Sequence, residues 1–304
     1  MYIGFDTSNY TTSVALFDGK NVVNKKKLLT VKQGERGLRQ SEAVFQHTVN
    51  MPELISELKF DEKIDAVGVS TRPRNIDKSY MPCFLVGVNN AVSFSKSLGV
   101  DLYKTSHQIG HILSALYSVD RLDLINERFI AFHVSGGTTE ALLVEPDENE
   151  IIKATVIAQS IDLKAGQAID RTGVLLGLTF PCGKKLDEMS LKCEKEFRHR
   201  LSFKNLDCSL SGVENKVKNM VGNTNENEIA KFVITYIADT IDKMTENIID
   251  KYGNLPLVFA GGVMSNTIIN ERISKKYNAY FAKPELSCDN AVGIAIYAYL
   301  KDKK

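Results

Sequence analysis

The sequence predicts an α/β protein assembled from two copies of one unit, and three observations carry that prediction. Short apolar strand patterns alternate with helix-period segments along the chain. The length of 304 residues suits two domains or one large α/β body. The third is a self-similarity. Ile3 to Phe17 aligns without a gap on Ile130 to Val144, with identities at Ile3/Ile130, Phe5/Phe132, Ser8/Ser135, Thr11/Thr138, Thr12/Thr139 and Leu16/Leu143. Each copy reads as strand, polar turn, strand, the signature of an internal duplication. Turns rich in Ser, Thr and Gly present backbone N–H groups and hydroxyls to phosphate oxygens. Two such hairpins opposed across a cleft would make a nucleotide clamp, with Asp6 and His133 at equivalent positions.

Each element follows in order. Strands are expected at 2–6, 11–17 and 21–29, with Asp18-Gly19 as a hairpin turn. A helix pattern covers 39–58, and Pro52 is expected to kink or divide it. A buried strand at 63–69, a loop at 70–82, an apolar helix at 83–98 and a short strand at 100–104 follow. After the second hairpin, a strand spans 150–159 and a helix leads from Asp162 to Leu176, ended by Gly177. The segment Phe180 to Asp187 is a loop opening another helix; 195–211 is basic and irregular; helices are expected at 212–221 and 226–253. Leu255 to Asn266 reads as a buried strand, a Gly261-Gly262 turn and a helix start, where small residues let a flat ring approach the backbone. Leu286 to Ala291 opens the last helix.

Composition narrows the class. Hydrophobic residues make up 43% and charged residues 25% of the chain, as in ordinary globular proteins. No apolar run reaches the roughly 20 residues of a membrane span, so no membrane partner is expected. A strand pattern directly after Met1 leaves no room for a signal peptide. The five cysteines, at 83, 182, 193, 208 and 288, form no CxxC pair. A reduced, cytoplasmic protein is therefore expected. The net charge of +1 gives no global attraction to nucleic acid, although basic stretches occur at Lys25 to Lys27, Lys184-Lys185 and Lys195 to Lys204.

Ser106-His107-Gln108-Ile109-Gly110-His111 is the most informative stretch. Three of the five histidines lie between 107 and 133. His107 and His111, four residues apart on a helix, stack on one face and offer two imidazoles to one metal ion. Ser106 is a suitable N-cap. A metalloprotease is excluded, because Gln108 holds the place of the general-base Glu and an amide cannot take a proton from bound water. Asp170 and Asp187 suit either helix capping or acceptance of ribose hydroxyls, and Asp289 suits either a first-turn acid or a third metal ligand.

Taken together, these motifs resemble the transferase subunit family of tRNA threonylcarbamoyladenosine synthase, formerly called O-sialoglycoprotein endopeptidase or glycoprotease. The resemblance rests on eight segments in order: Asp6-Thr7-Ser8, His107 to His111, Val134 to Gly137, Gly166 to Arg171, Pro181-Cys182-Gly183 with Asp187, Leu210-Ser211-Gly212, Gly261 to Asn266, and Cys288-Asp289-Asn290. It implies a two-lobed actin/hexokinase/Hsp70-like ATPase fold of duplicated ribonuclease H-like domains with a nucleotide and metal cleft between the lobes. The expected lobes are 1–105 plus 290–304, and 106–289. The implied metal ligands are His107, His111 and Asp289 around Fe2+ or Zn2+, with Mg2+ accompanying ATP as an alternative; His133 is our extension of that set. Val134, Ser135, Gly136, Gly137, Thr138, Asp170, Gly183, Asp187, Gly261, Gly262 and Asn266 would bind ATP, AMP or threonylcarbamoyl-adenylate, while Asp6 and Ser8 are the catalytic candidates. The implied reaction moves a threonylcarbamoyl group from the adenylate to the N6 amine of a tRNA adenosine next to the anticodon. Implied partners are tRNA, a homologous small dimerisation subunit and an ATPase subunit.

The departures from that family are local. Asn9-Tyr10-Thr11 replaces a Cys-Asp-acid turn, and Thr71 to Asp77 replaces a Gly-Pro-Gly-Leu loop, bringing in Arg72 and Arg74, which suit a carboxylate or phosphate. Thr138, Gln167 and Cys182 replace His, Glu and Gly. A paralogue with another acceptor or donor, acting by carbamoyl-type transfer on a small molecule or protein, and a non-catalytic nucleotide- and metal-binding paralogue are the alternative expectations.

Overall fold

A computed structural model describes residues 1–8, 10–31, 38–76 and 79–304. Asn9 and Asp77, named above among the altered turns, lie outside the described residues. The chain divides into two units. The first comprises Met1–Ile125, Pro146–Ala154 and Glu285–Lys304, and the second Asn126–Glu145 and Thr155–Pro284.

The first unit carries strands β1 (Tyr2–Asp6), β2 (Thr11–Phe17), β3 (Val22–Leu28), β4 (Ala66–Arg72) and β5 (Asp101–Ser106), in the sheet order β3-β2-β1-β4-β5. Helices α1 (Gln40–Ser56), α2 (Phe84–Leu98) and α3 (His107–Ser118) belong to it. The second sheet holds β6 (Phe129–Val134), β7 (Thr139–Asp147), β8 (Ile151–Gln159), β11 (Leu257–Ala260) and β12 (Ala279–Phe281), in the order β12-β11-β6-β7-β8. Between them in sequence come α4 (Ala165–Leu175), α5 (Gly183–Ser190), the small hairpin β9 (Ser202–Lys204) and β10 (Asp207–Ser209), α6 (Ser211–Met220), α7 (Glu226–Tyr252) and α8 (Thr267–Lys276). The chain ends with α9 (Pro284–Ser287) and α10 (Val292–Asp302).

The two sheets have one topology, and the repeat holds residue by residue. Ile3 pairs Leu16 and Phe5 pairs Val14 in the first hairpin; Ile130 pairs Leu143 and Phe132 pairs Ala141 in the second. The next strand also matches, since Ile3 lies beside Val67 and Ile130 beside Leu257, both in parallel pairing. All seven residues of β2 are buried, as expected of a strand covered on both faces. The first core gathers Ile3, Phe5, Val14, Met51, Val67 and Val69. The second is built on α7, with Val233, Ile237, Ile241 and Met244 buried beneath the sheet residues Phe132 and Phe259, whose rings stack at 4.4 Å.

Several expectations are corrected. The strand expected at 63–69 runs instead from Ala66 to Arg72, starting where its partner β1 starts, with Ala66 paired to Tyr2. Pro52 lies inside one continuous α1 and does not divide it. The basic stretch 195–211 contains the β9–β10 hairpin. The unit boundary also differs, for α3 and residues 285–289 group with the first unit.

The reason is a close helix seat. A Cβ at Gly293 of α10 would strike the Gly110 carbonyl oxygen of α3, and one at Gly110 would lie 2.6 Å from Ile294 Cδ1. Gly4 of β1 and Gly68 of β4 likewise leave room for the α10 backbone at Ala295 and Ile294. The missing side chains let α10 press against two strands and α3 at backbone distance. On helix propensity alone, Gly293→Ala should stabilise by roughly 1 kcal/mol. The backbone obstruction should outweigh this, for a net loss on the order of 1–3 kcal/mol by urea denaturation. A more stable G293A variant would contradict the seat.

His47 ties α1 to β2 through a 2.8 Å bond between Nδ1 and the Thr12 hydroxyl, and Asn50 Nδ2 donates to the same oxygen at 3.3 Å. Burial lowers the His47 pKa from 6.5 to about 4. Between those values the unfolded chain binds the extra proton, so His47 contributes stability that is complete above pH 6.5 and is lost as pH falls towards 4. His47→Asn should flatten the stability–pH slope in that window by up to about 1.4 kcal/mol per pH unit; an unchanged slope in denaturation measured from pH 4 to 7 would show that His47 is not held neutral.

Candidate metal centre and nucleotide site

The first site begins with a helix cap. Ser106 has extended backbone and its Oγ accepts the Ile109 N–H at 3.3 Å, so α3 starts at His107. One turn later His111 lies on the same face, the two rings 4.3 Å apart at 76°. Asp289 reaches them from the loop before α10, with Oδ1 at 3.2 Å from His111 Nε2 and 3.5 Å from His107 Nε2. The ligand atoms of these three residues all lie within 4.8 Å of one another. The Asp289 loop is pinned by Asn290, whose Oδ1 accepts from the Val292 N–H and the Ser114 hydroxyl while its Nδ2 donates to the Cys288 carbonyl. The Ser13 hydroxyl accepts the Ala291 N–H.

Asp6 stands behind His107. One of its oxygens meets His107 Nδ1 at 2.7 Å; the other accepts the Ser70 hydroxyl at 2.7 Å and the Ser8 N–H at 3.0 Å. A carboxylate there holds the proton on Nδ1 and aims Nε2 at the ligand group, the usual support for a metal-binding imidazole. Burial opposes ionisation of Asp6, but the His107 ring and the Ser70 hydroxyl outweigh it and keep its carboxyl below the ordinary value. Burial also disfavours the charged form of His107, and the carboxylates of Asp6 and Asp289 override it, raising the ring to about 10. For Asp289, burial is outweighed by the two histidines, which hold its carboxyl well below the ordinary value. Two imidazoles and a carboxylate fit zinc or iron, and three protein ligands leave coordination positions open. Ser8 is buried, and among the described residues its hydroxyl has no hydrogen-bond partner.

The second site is a cavity of about 420 Å³ in the second unit. Of the expected nucleotide residues, Gly136, Asp170, Gly183, Asp187, Gly262 and Asn266 line it. Gly136, Gly183 and Gly262 have nothing within 4 Å of a Cβ position, so their backbone is bare to an incoming group. Gly183 begins α5, whose first N–H groups suit a phosphate. Gly166 lets α4 pack on the turn, since its Cβ would lie 2.6 Å from the Gly136 nitrogen. The remaining residues do not line the cavity. Val134 is buried, with its carbonyl filling the space beside Gly261 at φ +100°. The Ser135 hydroxyl accepts the Thr138 N–H at 3.2 Å, and Gly137 is exposed.

Both acids also have structural duties. Asp170 Oδ1 accepts the Cys182 N–H at 2.8 Å and fixes the loop before α5, while burial raises its carboxyl. Asp187 accepts from the N–H and hydroxyl of Thr267 at the start of α8. His133 lies on β6 beside Glu140 and Ala260, in the second unit, and is not a member of the ligand group formed by His107, His111 and Asp289.

Sequence reasoning missed Ser70, Ser114, Lys184 and Ser265. Lys184 was legible only as part of a basic pair, and Ser265 lay unmarked inside the Gly261–Asn266 motif. Ser70 and Ser114 act on the site only through strand and helix neighbours, so no local pattern singles them out.

The class follows first. The chain has the actin/hexokinase/Hsp70-like ATPase fold, and it is similar to the ROK hexokinase of Thermus thermophilus, with a TM-score of 0.55, 13% identity and 99% coverage of both chains. The family follows from sequence. Residues 20–296 match the family model of tRNA N6-adenosine threonylcarbamoyltransferase. A relative of that name from Kosmotoga olearia is 31% identical over 323 residues, covering 99% of this chain and 93% of its own. Another from Mycoplasma mobile is 27% identical over 314 residues, with 99% and 98% coverage. The chain belongs to the tRNA N6-adenosine threonylcarbamoyltransferase family.

The two roles at the metal centre are separable. Asp289→Ala, which removes a ligand, should abolish retention of zinc or iron through a desalting column, read by elemental analysis. Asp6→Asn leaves every ligand in place and should weaken metal affinity about 10–100-fold in a chelator competition. Equal affinity in D6N and wild type would remove Asp6 from its positioning role.

Proposed function

We propose that this chain transfers a threonylcarbamoyl group from threonylcarbamoyl-adenylate to the N6 amine of a tRNA adenosine next to the anticodon. The observation that carries this reading is the His107, His111 and Asp289 ligand group, backed by Asp6, in a chain that matches the family along residues 20–296. The donor is a carbamic–phosphoric mixed anhydride; the adenine amine attacks its carbonyl carbon, the acyl–oxygen bond breaks, AMP leaves with the electron pair, and the proton shed by the amine passes to solvent. A divalent ion held by His107, His111 and Asp289, iron or zinc, would supply Lewis-acid polarisation of an acyl or phosphoryl oxygen. Asp6 keeps His107 in the tautomer that presents Nε2. The bare backbone at Gly136 and the first N–H groups of α5 receive phosphate, and Asp170 accepts a ribose hydroxyl through the oxygen not used by Cys182. The buried Ser8 hydroxyl is the group we assign to a donor oxygen at the metal centre. Catalysis is then positioning and electrostatics, with no covalent nucleophile.

The proposed setting is the cytoplasm; no helix among the described residues is long and apolar enough to cross a membrane. The proposed protein partners are a small homologous dimerisation subunit and an ATPase subunit. The exposed apolar residues Phe45 and Val49 of α1 and Leu85 and Val92 of α2 offer the first of these an apolar surface.

A second reading, carbamoyl-type transfer to another acceptor, is favoured by the altered loop at 71–76. The turn keeps Pro73, whose carbonyl accepts the Gln108 N–H at 3.0 Å, but Arg72 and Arg74 stand where a Gly-Pro-Gly turn has its glycines, and Asn75 beyond them donates to Glu150 at 3.3 Å. Nucleoside analysis of tRNA from a deletion strain separates the readings. Loss of threonylcarbamoyladenosine, restored by the wild-type gene and not by D289A, is expected. Unchanged modification in a strain encoding a second family member would move the assignment to the other acceptor.

A further inference from the structure

The basic stretch after α5 is absorbed by neither site. Residues 193–201 run without regular structure into β9, and from Glu196 to Lys204 exposed and shielded positions alternate. Phe197, His199, Leu201 and Phe203 are the shielded positions. Phe197 meets Phe232 of α7 edge-on at 5.4 Å, and the His199 ring lies 4.9 Å from Phe232 and 5.2 Å from Tyr236. His199 Nε2 donates to Thr235 Oγ1 at 2.9 Å, since that hydroxyl already donates to the Lys231 carbonyl at 2.8 Å. The segment is thus strapped onto α7 by a row of ring contacts.

The alternate residues Arg198, Arg200 and Lys204 are exposed. Neighbouring cations of the second unit are neutralised: Lys195 by Glu228, Arg171 and Lys218 by Glu214, Arg272 by Asp239. Among the described residues, Arg198, Arg200 and Lys204 make no ion pair. Lys204 is opposite Asp207 in the hairpin, but that carboxylate accepts the Gln159 N–H at 2.8 Å. Lys216 adds a further cation beside the strap, its ammonium 5.1 Å above the Tyr236 ring. Arg198 and Arg200 are two residues apart on extended chain, about 6–7 Å, which is the scale of the interval between successive phosphates of a nucleic-acid strand.

We propose that the outward edge of this strap is a contact surface for the sugar–phosphate backbone of the RNA substrate, with Arg198, Arg200 and Lys204 each neutralising a phosphate. The proposal rests on the tRNA reading above and adds to it a place where the RNA is held. Phosphate contacts of this kind position a substrate without reading its sequence.

The test is tRNA binding by fluorescence anisotropy over a salt series, with wild type, R198A/R200A/K204A, and a control, K20A/K59A/K96A, that removes the same charge from exposed lysines of the first unit. The strap variant should bind at least about tenfold more weakly at 0.1 M salt, with its log Kd against log salt slope reduced by about two to three. The control should stay within about twofold of wild type, and all three should retain the same metal content. Equal affinity and slope in the strap variant and wild type would overturn the surface while leaving the tRNA reading intact. No tRNA binding by wild type would overturn both. Binding of polyglutamate as tight as tRNA, and lost in the strap variant, would overturn the proposal in favour of an acidic protein partner.

Discussion

The seating of the last helix on bare backbone is the constraint from which the candidate metal centre follows. Gly4, Gly68, Gly110 and Gly293 each face a neighbour that a methyl group would strike. Their combined absence of side chains brings α10 against β1, β4 and α3 at once. Asp289 and Asn290 lie at the entrance to that helix, so the depth of the seat decides where Asp289 stands relative to His107 and His111. This also explains the composition of the metal-helix motif. The two histidines are ligand candidates, and the glycine between them is a packing surface for Ile294. Polar pins finish the placement, with Asn290 bonded to Ser114 and the Ala291 N–H bonded to Ser13.

Orientation at each site is supplied from behind. At the candidate metal centre, Asp6 is engaged by His107, Ser70 and the Ser8 N–H, which suits it to holding a ring in register. In the second unit, Asp170 and Asp187 hold the loop before α5 and the first turn of α8, while glycines leave backbone bare between them. Carboxylates therefore serve as scaffolding at both places, and the groups left for a ligand are imidazoles, the Asp289 carboxylate, the second oxygen of Asp170, the Ser8 hydroxyl and backbone N–H. That distribution suits chemistry done by position and charge.

Much of this was legible in the sequence. The gapless match of Ile3–Phe17 to Ile130–Val144 became matching registers in two sheets of one topology, because strand pairing fixes side-chain direction at every second residue. His107, His111 and Asp289 lie together without His133; spacing alone could suggest the pair but not the third member, 178 residues away in the 3.2 Å contact with His111. What was illegible depends on contacts distant in sequence. The start of β4 is set by its pairing with β1, where Ala66 meets Tyr2, the three-residue β12 is too short to carry a pattern, and the strap takes its alternation at 196–204 from α7. Pro52 was expected to kink or divide its helix; α1 runs through it undivided, with Met51 and Leu54 on either side buried in the core. The unit boundary was misplaced because α3 reads as the start of the second half, while its glycine faces α10.

The most direct measurement is a crystal structure of the protein grown with zinc or ferrous iron, the ion located by anomalous scattering. One ion bound by His107 Nε2, His111 Nε2 and an Asp289 oxygen, with His107 Nδ1 still bonded to Asp6, is the predicted result. An ion bound through His107 Nδ1, or settled elsewhere while His107, His111 and Asp289 stay bonded to one another, would contradict it.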